Sequence, residues 1–122
     1  MLSYKAVKIV KGSNGFGGPL VIRPTEKRNK IAYITGGRKP EVVDKLEALT
    51  GMESVNGFSS GIKDEEIAVI IIDCGGTLRC GIYPKKRIPT VNVMPVGKSG
   101  PMAQYITEDI YVSDVGPDQV TP

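Results

Sequence analysis

Cys74 and Cys80 are the strongest candidate nucleophiles in a chain that has no histidine. Ser-His-Asp and Cys-His catalysis are closed to it, as is a phosphohistidine, so any nucleophile must be activated by its surroundings. Two cysteines without histidine cannot complete a usual zinc site, and they do not make a disulfide framework. No metal or cofactor is expected. Cys74 stands in the run Asp73-Cys-Gly-Gly-Thr77. Gly75 and Gly76 let the backbone bend so that its N–H groups converge on an anion, Thr77 adds a hydroxyl donor and Arg79 a guanidinium. Such donors lower a thiol pKa from its ordinary value of ~8.5 and stabilise a dianionic thiophosphate. That is the chemistry of a covalent phosphoryl acceptor.

The residues alone leave a second reading equally open, in which Cys74 is a small buried hydrophobe at the end of a strand. Cys80, just before Gly81, reads as a structural residue in a loop, and a disulfide between the two is not expected where thiols are kept reduced. The spacing Cys-x4-Arg is one residue shorter than the Cys-x5-Arg loop of tyrosine phosphatases, so that geometry is not implied.

Two further loops share the chemistry of the first: Thr35-Gly-Gly-Arg38 and Gly97-Lys-Ser-Gly100. If the strands before them are parallel, all three loops lie at one sheet edge, where α/β folds bind ligands. The loops at 35–38 and 97–100 precede helical stretches, whose free N–H groups favour anions. Arg38 is then expected to reach Cys74 from the neighbouring loop. Gly97-Lys98-Ser99 is similar to the end of a P-loop, but Asn92 stands where that motif requires glycine, so ATP binding is not expected. The Gly-rich run from Gly12 to Gly18 lies between two strands and reads as a hairpin loop rather than a phosphate cradle. Lys85-Lys86-Arg87 reads as a solvated face, or in functional terms as a docking patch for an acidic partner. Asp64-Glu65-Glu66 reads as a solubilising turn.

The elements that must position these residues follow from pattern. Residues 4–10 and 20–23 form a hairpin, and 31–35 is a strand by its β-branched and aromatic content. Pro40 suits the first position of a helix that sets Val42, Val43, Leu46 and Leu49 on one face and is capped by Gly51. Residues 67–73 form an unbroken apolar run, the mark of a central strand covered on both faces. Strand, helix and buried strand make a βαβ unit. Residues 90–94 give another strand, 101–106 a short helical stretch and 110–113 a last strand. Residues 1–115 are thus expected to be the domain and 116–122 a tail or linker. The fold class is α/β, a mixed sheet with a parallel βαβ centre and an N-terminal β-hairpin.

At 122 residues and 40% hydrophobic, the chain suits one domain with its own core. Seven aromatics and no Trp leave that core to Ile, Val, Leu and Ala. The net charge of +3 is spread along the chain, without the dense basic stripe and interleaved aromatics of a nucleic-acid binder. The run Ile67 to Ile72 is far short of the ~20 residues a membrane helix needs. No charged-then-apolar leader opens the chain, so a cytosolic setting is expected.

The run DCGGTLRCGIYPKKRIPTVNVMPVGKSGPMAQYITEDIYVS (73–113), with GGPL at 17–20, YITGGRKPEVVDKLEALTG at 33–51 and NGF at 56–58, resembles the glucitol/sorbitol-specific IIB domain of the bacterial phosphotransferase system. The resemblance implies a phosphoryl carrier. In that family a IIB cysteine, matched here by Cys74, takes a phosphoryl group from a phosphohistidine on the IIA protein. It passes the group to a hexitol held by the membrane-embedded IIC part, which would keep the domain at the inner face of the cell membrane. A carrier needs a nucleophile and an anion cradle but no base, because phosphoryl transfer is mainly positioning and electrostatics. Two other functions fit the same residues: a non-catalytic anion-binding or regulatory module with an inert Cys74, and a thiol redox protein using Cys74 and Cys80.

Overall fold

A computed structural model describes residues 4–35, 39–56, 63–73, 79–97 and 103–122, the side chains of residues 79 and 80 apart. Among the described residues eight strands divide between two sheets. β1 (Val7–Ile9), β2 (Leu20–Ile22) and β8 (Val120–Thr121) form an antiparallel sheet in the order β2-β1-β8. β3 (Lys30–Ile34), β4 (Glu53–Asn56), β5 (Ile67–Ile72), β6 (Thr90–Asn92) and β7 (Tyr111–Ser113) form a sheet in the order β4-β3-β5-β6-β7. Every pairing in this second sheet is parallel. The α/β class, the hairpin and the parallel centre hold as expected, with the two kinds of pairing kept in separate sheets.

β5 owes its central place to its composition. All six residues of Ile-Ala-Val-Ile-Ile-Ile are buried, which only a strand covered on both faces tolerates. Its side chains divide between two cores. Val69 and Ile71 join Ile31, Val91 and Val112 on one face, beneath Val42, Val43 and Leu46 and the inward residues of the antiparallel sheet. Ile67, Ile70 and Ile72 join Ala32, Ile88, Ile106 and Tyr111 on the other. The register slips between Lys30 and Ile31, which pair with Ile67 and Val69. That irregularity puts Ala68 and Val69 into the same core and breaks the strict alternation of the strand.

Helix α1 (Glu41–Thr50) packs against β3, β4, β1 and β8. Pro40, expected as the first helical residue, sits instead at the N-cap, one position before Glu41, with extended backbone (φ −66°, ψ 152°). Its carbonyl accepts the first bond of the helix, from the Val43 N–H at 3.0 Å. Gly51 closes the helix at φ 81° and donates to the Glu47 carbonyl, the expected left-handed cap.

Three elements depart from expectation. Residues 79–85 are not loop but a second helix, α2 (Arg79–Lys85), so Cys80 is helical. Gly81 and Pro84 inside it conceal it from propensity reasoning. β4 is a short edge strand of sequence Glu-Ser-Val-Asn, too polar and too exposed to announce itself. Residues 116–122, expected as a tail, instead hold a 3-10 turn at Pro117–Gln119 and the strand β8. Val120 is 1% exposed and pairs with Ile9, so this segment completes the core under the antiparallel sheet.

Candidate functional site

Because β3, β5, β6 and β7 are parallel and in register, their carboxyl ends form one edge: Ile34 pairs Ile72, Ile72 pairs Asn92, and Asn92 pairs Ser113. The chain visits the strands in the order β3, β4, β5, β6, β7, yet β4 and β5 lie on opposite sides of β3. The direction of winding reverses between β3 and β5. Connections that leave a sheet in opposite directions open a crevice at the carboxyl ends of the two strands, where doubly wound folds bind ligands. Thr35 and Asp73 are the described residues that follow β3 and β5 into this crevice.

Cys74 is the next residue after Asp73. Cys74, Gly75, Gly76, Thr77 and Arg38 lie outside the described residues, as do Lys98, Ser99 and Gly100. Arg79 opens α2. The structure therefore brings together the strand ends that carry the three loops, at one edge. The expected parallel pairing of 31–35 with 67–73, on which the neighbourhood of Arg38 and Cys74 rests, is observed.

The described walls of this edge are well ordered by hydrogen bonds. The Val93 N–H donates to the Ile72 carbonyl at 2.9 Å, extending the ladder one step past β6. Asn92 is fully buried; its amide donates to the Tyr111 hydroxyl at 3.0 Å, and its carbonyl oxygen accepts from the Met94 N–H at 3.0 Å. The Tyr111 hydroxyl in turn donates to the Val96 carbonyl at 2.6 Å. Burial raises the Tyr111 pKa above its ordinary value of 10, so it stays a donor at neutral pH. This network pins residues 93–96, which lead to Gly97. Sequence reasoning treated Asn92 only as a missing glycine. A polar residue inside the run Thr-Val-Asn-Val was the available signal, since a buried amide must find partners.

The glycine-rich run at 12–18 also has a structural role. The Phe16 N–H donates to the Ser113 hydroxyl oxygen at 2.8 Å, the Phe16 carbonyl accepts from the Ser113 N–H at 3.0 Å, and Gly17 bridges Val112 antiparallel, so the loop covers the open edge of β7. A Cβ on Gly17, at φ 87°, would lie 2.0 Å from the Tyr111 carbonyl oxygen. The hairpin reading stands, and no phosphate is needed to explain the glycines.

The start of α1 is less suited to an anion than its place implies. Glu41 and Asp44 occupy the first turn. Lys39 bonds Asp44 and Glu47 at 3.0 Å each, which raises its pKa. That cation is committed to carboxylates. Beside it a cavity of about 630 Å³ opens, bounded by Lys39, Pro40 and Val42 on one side and by Val93, Val115 and Pro117 on the other. Its walls thus come from the start of α1 and from the residues that follow β6 and β7.

The basic cluster at 85–87 lies at the opposite, amino edge. Lys86 pairs with Asp64 at 3.1 Å, Arg87 with Asp109 at 2.7 Å, and Lys85 lies 5.5 Å from the centre of the Tyr105 ring. Its cations face partners within the domain, away from the edge that Cys74 follows.

Over residues 6–122 the sequence matches the family described as sorbitol phosphotransferase enzyme II N-terminus. The chain belongs to this family. It is also 62% identical, over 99% of its length, to the PTS system glucitol/sorbitol-specific EIIB component of Clostridium beijerinckii (strain ATCC 51743 / NCIMB 8052). The match covers 36% of that relative, so the chain spans about a third of the length of the curated protein it matches. No solved structure matches. The family resemblance read from residues 73–113 is thus established, and the enzyme II N-terminal domain has the doubly wound parallel sheet described above. No helix among the described residues is long and apolar enough to cross a membrane.

Proposed function

We propose that this domain is the phosphoryl carrier of a glucitol/sorbitol phosphotransferase system, with Cys74 as the covalent acceptor. The Cys74 thiolate attacks phosphorus as the phosphohistidine nitrogen of the IIA protein leaves, so a P–S bond forms as a P–N bond breaks. The hexitol hydroxyl, held by the membrane IIC part, then attacks phosphorus: an O–P bond forms as the P–S bond breaks, the thiolate leaves, and the hydroxyl proton is lost to a group on the IIC part or to water. Gly75, Gly76, Thr77, Arg79 and Arg38 supply the anion cradle. The sites of docking are cytosolic, at the inner membrane face.

The observation that carries this reading is the parallel, in-register ending of β3 and β5 at the point where the winding reverses. A ligand crevice is expected there on topology alone, and the sequence puts its cysteine one residue beyond Asp73. Family membership supports the same assignment. The absence of histidine fits a carrier, which receives a group already activated and needs no general base. The test is incubation with the general phosphotransferase proteins and the cognate IIA, followed by intact-mass and peptide analysis. One phosphate on Cys74 is the expected product; no adduct, or an adduct elsewhere, overturns the assignment.

A further inference from the structure

The outer face of the antiparallel sheet takes no part in the site described above. Exposure alternates along β1 and β2 and just past their ends. Ala6, Lys8, Val10, Pro19, Val21 and Arg23 are exposed, while Val7, Ile9, Leu20 and Ile22 enter the core. Lys8 is paired between Val21 on β2 and Thr121 on β8, at the usual strand spacing of about 4.8 Å on either side. Val21 is 50% exposed and Val10 37%; among the described residues Met94 is the only other large hydrophobic so exposed.

Cations surround these valines. The stretch 4–25 holds Lys5, Lys8, Lys11 and Arg23, all exposed, and no Asp or Glu. None of the four makes an ion pair among the described residues, whereas Lys30, Lys39, Lys86 and Arg87 each hold a carboxylate. On the β8 side, residues 117–122 carry one carboxylate, Asp118. Asp114 is engaged with the loop, where it accepts from the Asn14 N–H at 3.0 Å. Residues 4–25 and 117–122 together carry +3, the net charge of the whole chain. The fold gathers this charge on one sheet.

The mixture of unpaired cations and exposed valines narrows what can cover the face. A second copy would set like charges against each other. Strand addition at the open edge of β2 is blocked by Pro19 and Pro24 on either side of it. Protein partners anchor side chains in pockets and make little use of Lys, but the cavities of about 630 and 540 Å³ are lined by no residue of β1 or β2. A layer of anionic headgroups needs no pocket. Lysine stems lie along apolar surface while their ammonium groups reach phosphate, and small apolar side chains enter the headgroup boundary.

We propose that this face, Lys8 and Arg23 with Val10 and Val21, seats the domain on an anionic lipid surface. The inference goes beyond the carrier reading and does not depend on it. The sheet is only three short strands wide, so the contact is weak and reversible. Each Lys or Arg near such a surface strengthens binding about fivefold.

The experiment measures co-sedimentation of the full chain with vesicles of equal parts phosphatidylglycerol and phosphatidylcholine, and with phosphatidylcholine alone. Wild type is expected to bind the first and not the second. Raising salt from about 0.1 M to about 1 M should release it, because the screening length falls from about 10 Å to about 3 Å. Lys8→Gln with Arg23→Gln is expected to bind about 25-fold more weakly, two cations at about fivefold each. Val21→Thr keeps the branched shape and should cost about threefold. Lys63→Gln with Lys85→Gln removes the same charge at the amino edge and should bind as wild type. Matching urea midpoints show that each variant is folded. No binding by wild type, equal binding to both vesicles, or unchanged binding by the Lys8 and Arg23 variant or by Val21→Thr overturns the proposal. So does an equal loss in the two double variants, since the face then has no special part. A Lys8 and Arg23 variant that binds vesicles normally but is loaded slowly by phosphorylated IIA assigns the face to a protein, and one altered only in self-association assigns it to a second copy; either overturns it. Vesicle binding by a chain that takes no phosphate would sink the carrier reading and leave this one standing.

Discussion

Ile34 and Ile72 face each other as the last paired residues of two parallel strands that the chain leaves in opposite directions. The loops that follow them carry Arg38 and Cys74. If Cys74 is the phosphoryl acceptor, Cys74→Ser should abolish loading while leaving the thermal transition unchanged. Cys80→Ser, a change within α2, should keep most of it. Arg38→Ala should slow loading without preventing it, because a guanidinium contributes electrostatic stabilisation rather than the bond itself. Intact-mass kinetics on the three variants check this. Equal loss in both cysteine variants would mean that the two thiols act as a pair.

Tyr111→Phe should destabilise the domain and loosen residues 93–96 together. The lost hydroxyl leaves the Asn92 amide without its Tyr111 acceptor and the Val96 carbonyl without this donor, an expected cost of about 1–3 kcal/mol. The same hydroxyl gives a pH signature. Its pKa is raised by burial, so the unfolded chain ionises first as pH climbs. The contribution of Tyr111 is fully present below its unfolded value near 10 and is lost as pH rises through the folded value. Urea unfolding of both proteins at neutral and alkaline pH should show the difference between them shrinking above pH ~10.

Gly17→Ala and Gly116→Ala should behave in opposite ways. Gly17 has φ 87°, and a Cβ there meets the Tyr111 backbone oxygen at 2.0 Å. The backbone conformation alone costs about 1–3 kcal/mol for a non-glycine residue, and the contact with rigid backbone adds to it. Gly116 has φ −119°, and its added Cβ would meet only the end of the Gln119 side chain, at 3.4 Å. Urea midpoints should fall clearly for the first and barely for the second. Similar midpoints would mean that the loop at 12–18 is not held against β7.

Val120→Ala tests whether the last residues belong to the domain. Val120 is 1% exposed and lies beside Val7, Ile9 and Val115 in the core. Removing two buried methyl groups at ~0.8 kcal/mol each should cost about 1.5 kcal/mol. An unchanged urea midpoint would return the segment to the status of a tail.

That segment also shows what a sequence does and does not reveal. α1 was legible because Val42, Val43 and Leu46 fall on one face and Gly51 stops the helix, a local pattern that tertiary contacts only reinforce. β5 was legible because six buried residues in a row admit few other interpretations. β8 was not, because two residues after a proline and an aspartate carry no periodicity. Their strand exists only because β1 offers an edge about 110 residues earlier in the chain. α2 was hidden for the opposite reason: Gly81 and Pro84 argue locally against a helix that packing on β5 and β6 imposes. For the candidate site, the strand ends and their common edge were legible from the apolar runs and the loops that follow them. The Asn92–Tyr111 bond was not, since it joins residues whose proximity depends on β6 and β7 being neighbours.

The domain alone should accept a phosphoryl group yet fail to deliver it to free hexitol. Acceptance needs only a thiolate, an anion cradle and a face that docks the donor, and the sequence offers candidates for these in the loops that follow β3, β5 and β6. Delivery needs more. A sugar hydroxyl must be held in line with the phosphorus–sulfur bond and shielded from water, and such positioning accounts for roughly 7–11 kcal/mol of barrier in favourable cases. Sugar sites commonly stack a ring on aromatic faces, but the chain has no Trp, five Tyr and two Phe. Two of these seven, Phe16 and Tyr111, pack on each other with ring centroids 6.4 Å apart, and a third, Tyr105, lies under Lys85. The cavity beside Val93 is bounded by Lys39, Pro40 and Val42 and presents no aromatic face among its lining residues. The phosphorylated domain should therefore be long-lived with glucitol alone and should discharge when membranes bearing the IIC part are added. Following loss of the phosphate adduct and formation of hexitol phosphate, with and without those membranes, decides the matter. Rapid hexitol phosphate formation by the purified chain and its donors alone would show that the sugar site lies within these residues.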